Sequence, residues 1–194
     1  MEIKAIGIVG ATGLGRKLAY ASTLAGYRTI LEDVSPLARE QGIAWIARAL
    51  GEDFAHGKIS AATRDAALAN LGTANSAEEV AREADLIIEA VSDDMEMKIE
   101  LFTIFDKFGR PGSIFASTTR SLSITEMASI TSCPDRCIGM HFSSVARCAE
   151  RVELVRGRET SEETVSSCRE VARRMGKEVA VSSDERILSA SGND

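Results

Sequence analysis

The sequence predicts an α/β fold of the doubly wound kind, a mostly parallel sheet with helices on both faces. Three observations carry it. Short apolar runs alternate with amphipathic helical stretches along most of the 194 residues. A glycine-rich turn, Gly10-Ala11-Thr12-Gly13-Leu14-Gly15, joins the first run to the first helix. An acidic residue, Asp33, closes the second run.

Taken in order, the first strand is expected over Ile3–Val9, and the helix after the glycine turn runs toward Ala25-Gly26. Backbone N–H groups at that helix start suit a pyrophosphate, through hydrogen bonds and the positive end of the helix dipole. The second strand is Thr29–Leu31, and Asp33 stands where a carboxylate takes the adenosine ribose hydroxyls. This is the Rossmann arrangement. A carboxylate there repels a 2′-phosphate, which favours NAD over NADP.

The middle glycine of G-x-G-x-x-G falls on Thr12, placing a Cβ where backbone normally meets pyrophosphate. Either the cradle is weakened or Gly13 shifts the turn. The cofactor contacts expected here are Gly10, Thr12, Gly13, Leu14, Gly15 and Asp33. Reading the turn as G-x-x-G-x-x-G fails because its last position is Arg16. Short-chain dehydrogenase chemistry fails as well, since neither Tyr20 nor Tyr27 has a lysine four residues on.

A helical pair from Pro36 to Ala69, broken at Gly57-Lys58, is expected after the second strand, with Ser35-Pro36 as its start. Trp45, Ile46 and Leu50 share one face and are expected to pack between the two helices. Strands follow near Leu71–Ala74, Leu86–Ala90, Ser113–Ala116 and Cys137–His141, with a helix over Met95–Lys107. The remainder reads as strand Val152–Val155, helix Ser161–Met175 and strand Glu178–Val181. No linker separates it, so residues 1–182 form one domain and 183–194 a short tail.

Net charge of −6 with dispersed Lys and Arg gives no basic face for nucleic acid or anionic membrane. The first apolar run is too short for a secretory or membrane segment, which makes a cytoplasmic location the expectation, with four reduced cysteines. Cys133, Cys137 and His141 are spaced in fours. Their division between a loop and a strand argues against a metal site.

Several segments together resemble the NAD-binding domain of L-3-hydroxyacyl-CoA dehydrogenases, the group that includes 3-hydroxybutyryl-CoA dehydrogenases. They are residues 26–35, Gly57-Lys58-Ile59-Ser60, residues 84–91, Lys98-Ile99-Glu100-Leu101-Phe102, Ser121-Leu122-Ser123-Ile124-Thr125-Glu126 and Gly139-Met140-His141-Phe142. The resemblance implies that His141 is the general base for the 3-hydroxyl proton and that Glu153 orients it. It also implies that Asp93 and Lys98 stand near the cofactor. Capping of the following helix by Asp93 or Asp94 is compatible with that.

Three departures from the family pattern stand out. Where it has S-N-T-S-S-L, this chain has Ser117-Thr118-Thr119-Arg120-Ser121-Leu122, so Arg120 replaces a substrate-contacting serine. Where it has H-F-F-N-P, Ser144 and Val145 replace the asparagine and proline. The family's helical C-terminal domain is expected to be absent, since Ser182 to Leu188 replaces its P-G-F-x-x-N-R opening and the sequence stops at Asp194.

Arg120 would hold a carboxylate or phosphate, pointing to a smaller anionic substrate, or would pair with Glu153 and disable the dyad. The resemblance therefore implies NAD-dependent hydride transfer to or from a 3-hydroxyacyl-CoA or small 3-hydroxy acid. A second copy or a separate polypeptide would complete the active site. The alternative is a catalytically impaired NAD-binding sensor or regulatory module. Simple truncation of a normal enzyme would not explain the changed Ser117–Leu122 loop.

Overall fold

The computed structural model describes residues 2–143 and 151–184. The strands are β1 (Ala5–Val9), β2 (Arg28–Glu32), β3 (Leu71–Thr73), β4 (Leu86–Glu89), β5 (Ile114–Ser117), β6 (Cys137–Ser143), β7 (Arg151–Arg156) and β8 (Glu178–Ser183). They form one sheet in the order β3-β2-β1-β4-β5-β6-β7-β8. The crossing of β1 to both β2 and β4 creates a switch point at the C-terminal ends of β1 and β4, where such sheets bind ligands. All neighbouring pairs are parallel except β6 and β7, which run antiparallel.

Helices are α1 (Gly13–Leu24), α2 (Pro36–Ala55), α3 (Ala61–Ala69), α4 (Ala77–Glu83), α5 (Met95–Phe108), α6 (Ile124–Ser129) and α7 (Glu162–Arg174). The expected helical pair is present, and its break carries Gly57 at φ +70°. Helices α4 and α6 have no counterpart in the sequence reading. At seven and six residues they are too short to show a period, although Ser76…Glu79 and Ser123…Glu126 have the spacing of a capping box. Ser76 and Ser123 do accept from the N–H groups of Glu79 and Glu126.

Alternation along the strands divides the core into two layers. Ile6 and Ile8, Leu86 and Ile88, Ile114 and Ala116, Ile138 and Met140, and Val152 and Leu154 face one cluster, shared with α1, α2 and α7. Ile87, Phe115, Cys137 and Val155 point the other way, toward Phe102, Phe105, Ile124 and Met127 of α5 and α6. Phe115 stands edge-on to Phe102, with ring centroids 6.3 Å apart.

Trp45 departs from its expected place between α2 and α3. Its ring packs edge-on to Tyr20 of α1, centroids 6.1 Å apart, with the Arg16 guanidinium 4.9 Å from its centre. Ile46 and Leu50 are fully buried in the layer containing α1, with Ala67 of α3 in the same cluster. The pair is thus held onto the domain through α1 rather than only within itself. Among the described residues, no helix is long and apolar enough to cross a membrane.

Candidate active site

At the end of β1 the chain turns through Gly10, φ +108°, so tightly that a Cβ there would lie 2.7 Å from the Ala90 carbonyl oxygen. Gly15 is tighter still, since its Cβ would meet the Gly10 carbonyl oxygen at 1.7 Å. These two glycines let β1, β4 and α1 converge. Gly13 has φ +42° with open space beside it, directly after Thr12, the N-cap of α1. No side chain caps α1, whereas α2 to α7 all have a Ser or Asp cap. The N–H groups at the start of α1, Leu14 among them, therefore face the turn without a side-chain acceptor, as an anion site requires.

Asp33 sits just past β2, and its carboxylate closes this turn: Oδ2 accepts from the Ala11 N–H at 2.8 Å and Oδ1 from the Ser35 N–H at 2.9 Å. Each oxygen keeps a lone pair for a ligand hydroxyl. Beside it lies a cavity of about 400 Å³ whose walls include Val9, Glu32, Asn75, Val91, Leu101 and Ile104. That mixture of apolar side chains with a carboxylate at one rim suits an adenosine. Burial, and then the neighbouring Asp33 charge, push the Glu32 carboxyl up to about 7.

Strand parity gathers the second half of the site. Glu89, Ser117 and His141 fall on the α5–α6 side of the sheet, at or near the C-terminal ends of β4, β5 and β6. Glu153 lies directly across from His141 in the antiparallel β6–β7 pair. The antiparallel turn of β7 is thus what brings the two together. His141 Nδ1 and Glu153 Oε2 are 3.7 Å apart, and the Glu153 side chain is 43% exposed. The opposite ring nitrogen, His141 Nε2, is buried and has no hydrogen-bond partner among the described residues. Burial, followed by the Arg120 charge, lowers the His141 pKa, and Glu153 and Asp93 oppose that shift.

Glu89 was not singled out by the sequence. Its carboxylate is fully buried and accepts from Lys98 Nζ at 2.7 and 2.8 Å, from Ser117 Oγ at 2.7 Å and from the Val91 N–H at 2.6 Å. Lys98, placed near the cofactor by resemblance, is itself fully buried against Glu89, with Asp93 Oδ1 3.4 Å away. Its ammonium therefore reaches the site through Asp93. Glu89 lies within the segment 84–91 that carries the resemblance, and its strand-end position and parity are what mark it out there.

The capping question at Asp93-Asp94 is resolved by geometry. Asp94 caps α5, accepting from the Met97 N–H at 2.9 Å. Asp93 instead turns to the loop after β5, where Oδ2 accepts from the Arg120 N–H at 3.4 Å and from Ser121 Oγ at 3.3 Å. Burial raises its pKa, but the Thr119 and Arg120 hydrogen bonds and Lys98 together bring it below the usual carboxylate value. Arg120 is exposed, and among the described residues its guanidinium forms no ion pair, with Glu153 or any other carboxylate. Ser144 lies outside the described residues.

Cys133 and Cys137 are buried free thiols, and burial pushes Cys137 up to about 12. Cys137 stands four strand residues before His141, roughly 13 Å away along the strand. Among the described residues no cluster of three or more His, Cys, Asp or Glu is placed to hold a metal.

Residues 5–185 match the family described as 3-hydroxyacyl-CoA dehydrogenase, NAD binding domain. The chain is 37% identical over 177 residues to a probable 3-hydroxybutyryl-CoA dehydrogenase of Bacillus subtilis, covering 91% of this chain and 61% of that protein. It is 34% identical over 182 residues to the 3-hydroxybutyryl-CoA dehydrogenase of Bradyrhizobium diazoefficiens, covering 94% of this chain and 62% of that one. The crystal structure of (S)-3-hydroxybutyryl-CoA dehydrogenase from Ralstonia eutropha superposes with a TM-score of 0.88 at 31% identity, over 94% of this chain and 64% of that chain. The chain therefore spans about three-fifths of the length of these relatives. With a Rossmann cradle, a switch-point cavity and a His141–Glu153 pair in one sheet, the chain belongs to the family of 3-hydroxyacyl-CoA dehydrogenase NAD-binding domains.

Proposed function

We propose that this chain binds NAD and takes part in hydride transfer between NAD and a 3-hydroxy substrate, the chemistry named by its relatives. The observation that carries the reading is the buried, unpartnered Nε2 of His141 at the sheet edge that also holds the glycine cradle. Gly10, Gly13, Leu14 and Gly15 would hold the pyrophosphate and Asp33 the adenosine ribose. When bound, NAD supplies the hydride acceptor or donor.

The work of the protein's own residues then follows. His141 Nε2 accepts the carbinol proton in oxidation and returns it in reduction. Glu153 faces Nδ1 and favours the tautomer that leaves Nε2 unprotonated; at 3.7 Å this contact has still to shorten when ligand binds. The Glu89–Lys98–Asp93 chain holds the loop carrying Thr119 and Arg120 against β4. Exclusion of water requires a further wall over the edge that the described residues form.

Reduction of acetoacetyl-CoA and of acetoacetate with NADH tests this. Turnover of either, lowered by a factor of about 10² or more in His141→Ala, is expected. A chain that binds NADH but transfers hydride to neither substrate in any assembly state contradicts the catalytic role. It would favour the second reading, an NAD-responsive binding module, for which the long His141–Glu153 separation and the half-exposed Glu153 speak.

A further inference from the structure

The loop after β5 carries Arg120, whose guanidinium makes no ion pair among the described residues. Ser117 pairs with Gly139, so the residues just beyond Ser117 run level with His141, two residues further along β6. Arg120 is fixed there by its backbone, through its N–H to Asp93 Oδ2 at 3.4 Å. Asp93 forms no ion pair with the guanidinium: its Oδ2 accepts from the Arg120 N–H and the Ser121 hydroxyl, and its Oδ1 lies 3.4 Å from Lys98 Nζ. A cation without an ion pair and an imidazole nitrogen without a hydrogen-bond partner, among the described residues, thus stand at one sheet edge.

We propose that Arg120 binds a free carboxylate of the substrate, so that the site takes a small 3-hydroxy acid as its anion rather than a 3-hydroxyacyl thioester. The proposal rests on the hydride-transfer reading for the identity of the reacting carbinol, but not for the anion site itself. Beside the reacting carbinol a thioester offers the guanidinium one neutral carbonyl acceptor, whereas a carboxylate there accepts two parallel N–H bonds from its fork. Glu153 and Asp93 make the rest of the edge acidic, so an anionic substrate needs this cation to approach. In oxidation the O–H proton passes to His141 Nε2 and the C–H bond breaks, its electron pair leaving as hydride to NAD. The carbinol becomes a ketone, and the carboxylate stays on Arg120 unchanged.

His56 and His141 are the only histidines, so their imidazole proton resonances can be followed separately in the intact chain. (S)-3-hydroxybutyrate and its methyl ester are titrated into wild type, Arg120→Lys and Arg120→Gln, each with and without NADH. The acid should move the His141 signal, leave His56 unmoved, and bind about 10-fold or more tighter than the ester, a gap of about 1.4 kcal/mol that Arg120→Gln abolishes and Arg120→Lys partly keeps. Arg120→Gln should also raise the His141 pKa, because a neighbouring cation is gone. Equal binding of acid and ester, acid binding indifferent to Arg120→Gln, or no response of His141 to either probe overturns the proposal. Acid binding that depends on Arg120 in a chain that does not bind NADH upholds the anion site and defeats the hydride reading. NADH-dependent turnover of a thioester with no preference for the acid does the reverse.

Discussion

At the scale of single residues, ionisation is set by position on the sheet. His141 is half enclosed, and burial and Arg120 hold its pKa below the ordinary 6.5, so the imidazole is neutral at pH 7 and ready to accept a proton. With His141 as the proposed base, the rate of carbinol oxidation should rise with pH through a value below 6.5 and be flat above it. A pH profile of kcat/KM checks this, and a midpoint above 7 would place the base elsewhere. Glu32 shows the opposite displacement. With a folded pKa of about 7 against 4.5, the folded state holds the proton more tightly, so stability is full below about pH 4.5 and is lost as pH rises through 7. Glu32→Gln should leave urea stability unchanged near pH 4.5 and raise it by up to about 3 kcal/mol at pH 8.

At the scale of elements, the glycine turn was legible from sequence and its tolerance was not. The spacing marked Gly10 and Gly15, but only the structure shows that Gly15 presses on the Gly10 carbonyl. Gly15→Ala should destabilise the domain by about 1–3 kcal/mol and weaken NADH binding, measured by denaturant unfolding and fluorescence titration. The short helices α4 and α6 are not legible from periodicity because a helix of about two turns or less has no period to read, and capping-box spacing is the sequence signal they do carry. Ser123 both caps α6 and donates to Asp184 Oδ2 at 2.8 Å, so Ser123→Ala should cost about 1 kcal/mol or more. The family motif is what nominates His141 as the proposed base. Glu153 came with it, yet the reason the two face each other, the antiparallel β6–β7 register, does not show in local periodicity.

At the scale of the whole molecule, the alternating runs of the sequence foretold the sheet and the helical pair, because buried parallel strands and amphipathic helices leave strong patterns. Long-range polar contacts leave none. The Glu89–Lys98 pair spans β4 and α5, is fully buried, and ties in β5 through Ser117. Lys98→Met would strand the Glu89 charge and should cost about 3–5 kcal/mol, whereas adding Glu89→Gln should recover part of that loss, as a double-mutant cycle would show.

The hydride transfer proposed for this chain depends on an NAD cradle closed by Asp33. Its most direct test is a titration of NADH and NADPH into the purified chain, followed by nicotinamide fluorescence. Saturable NADH binding, about 10-fold or more tighter than NADPH, with the gap narrowing in Asp33→Ala, is the predicted result. No saturable binding of NADH, or equal affinity for the two cofactors in the wild-type chain, would contradict it.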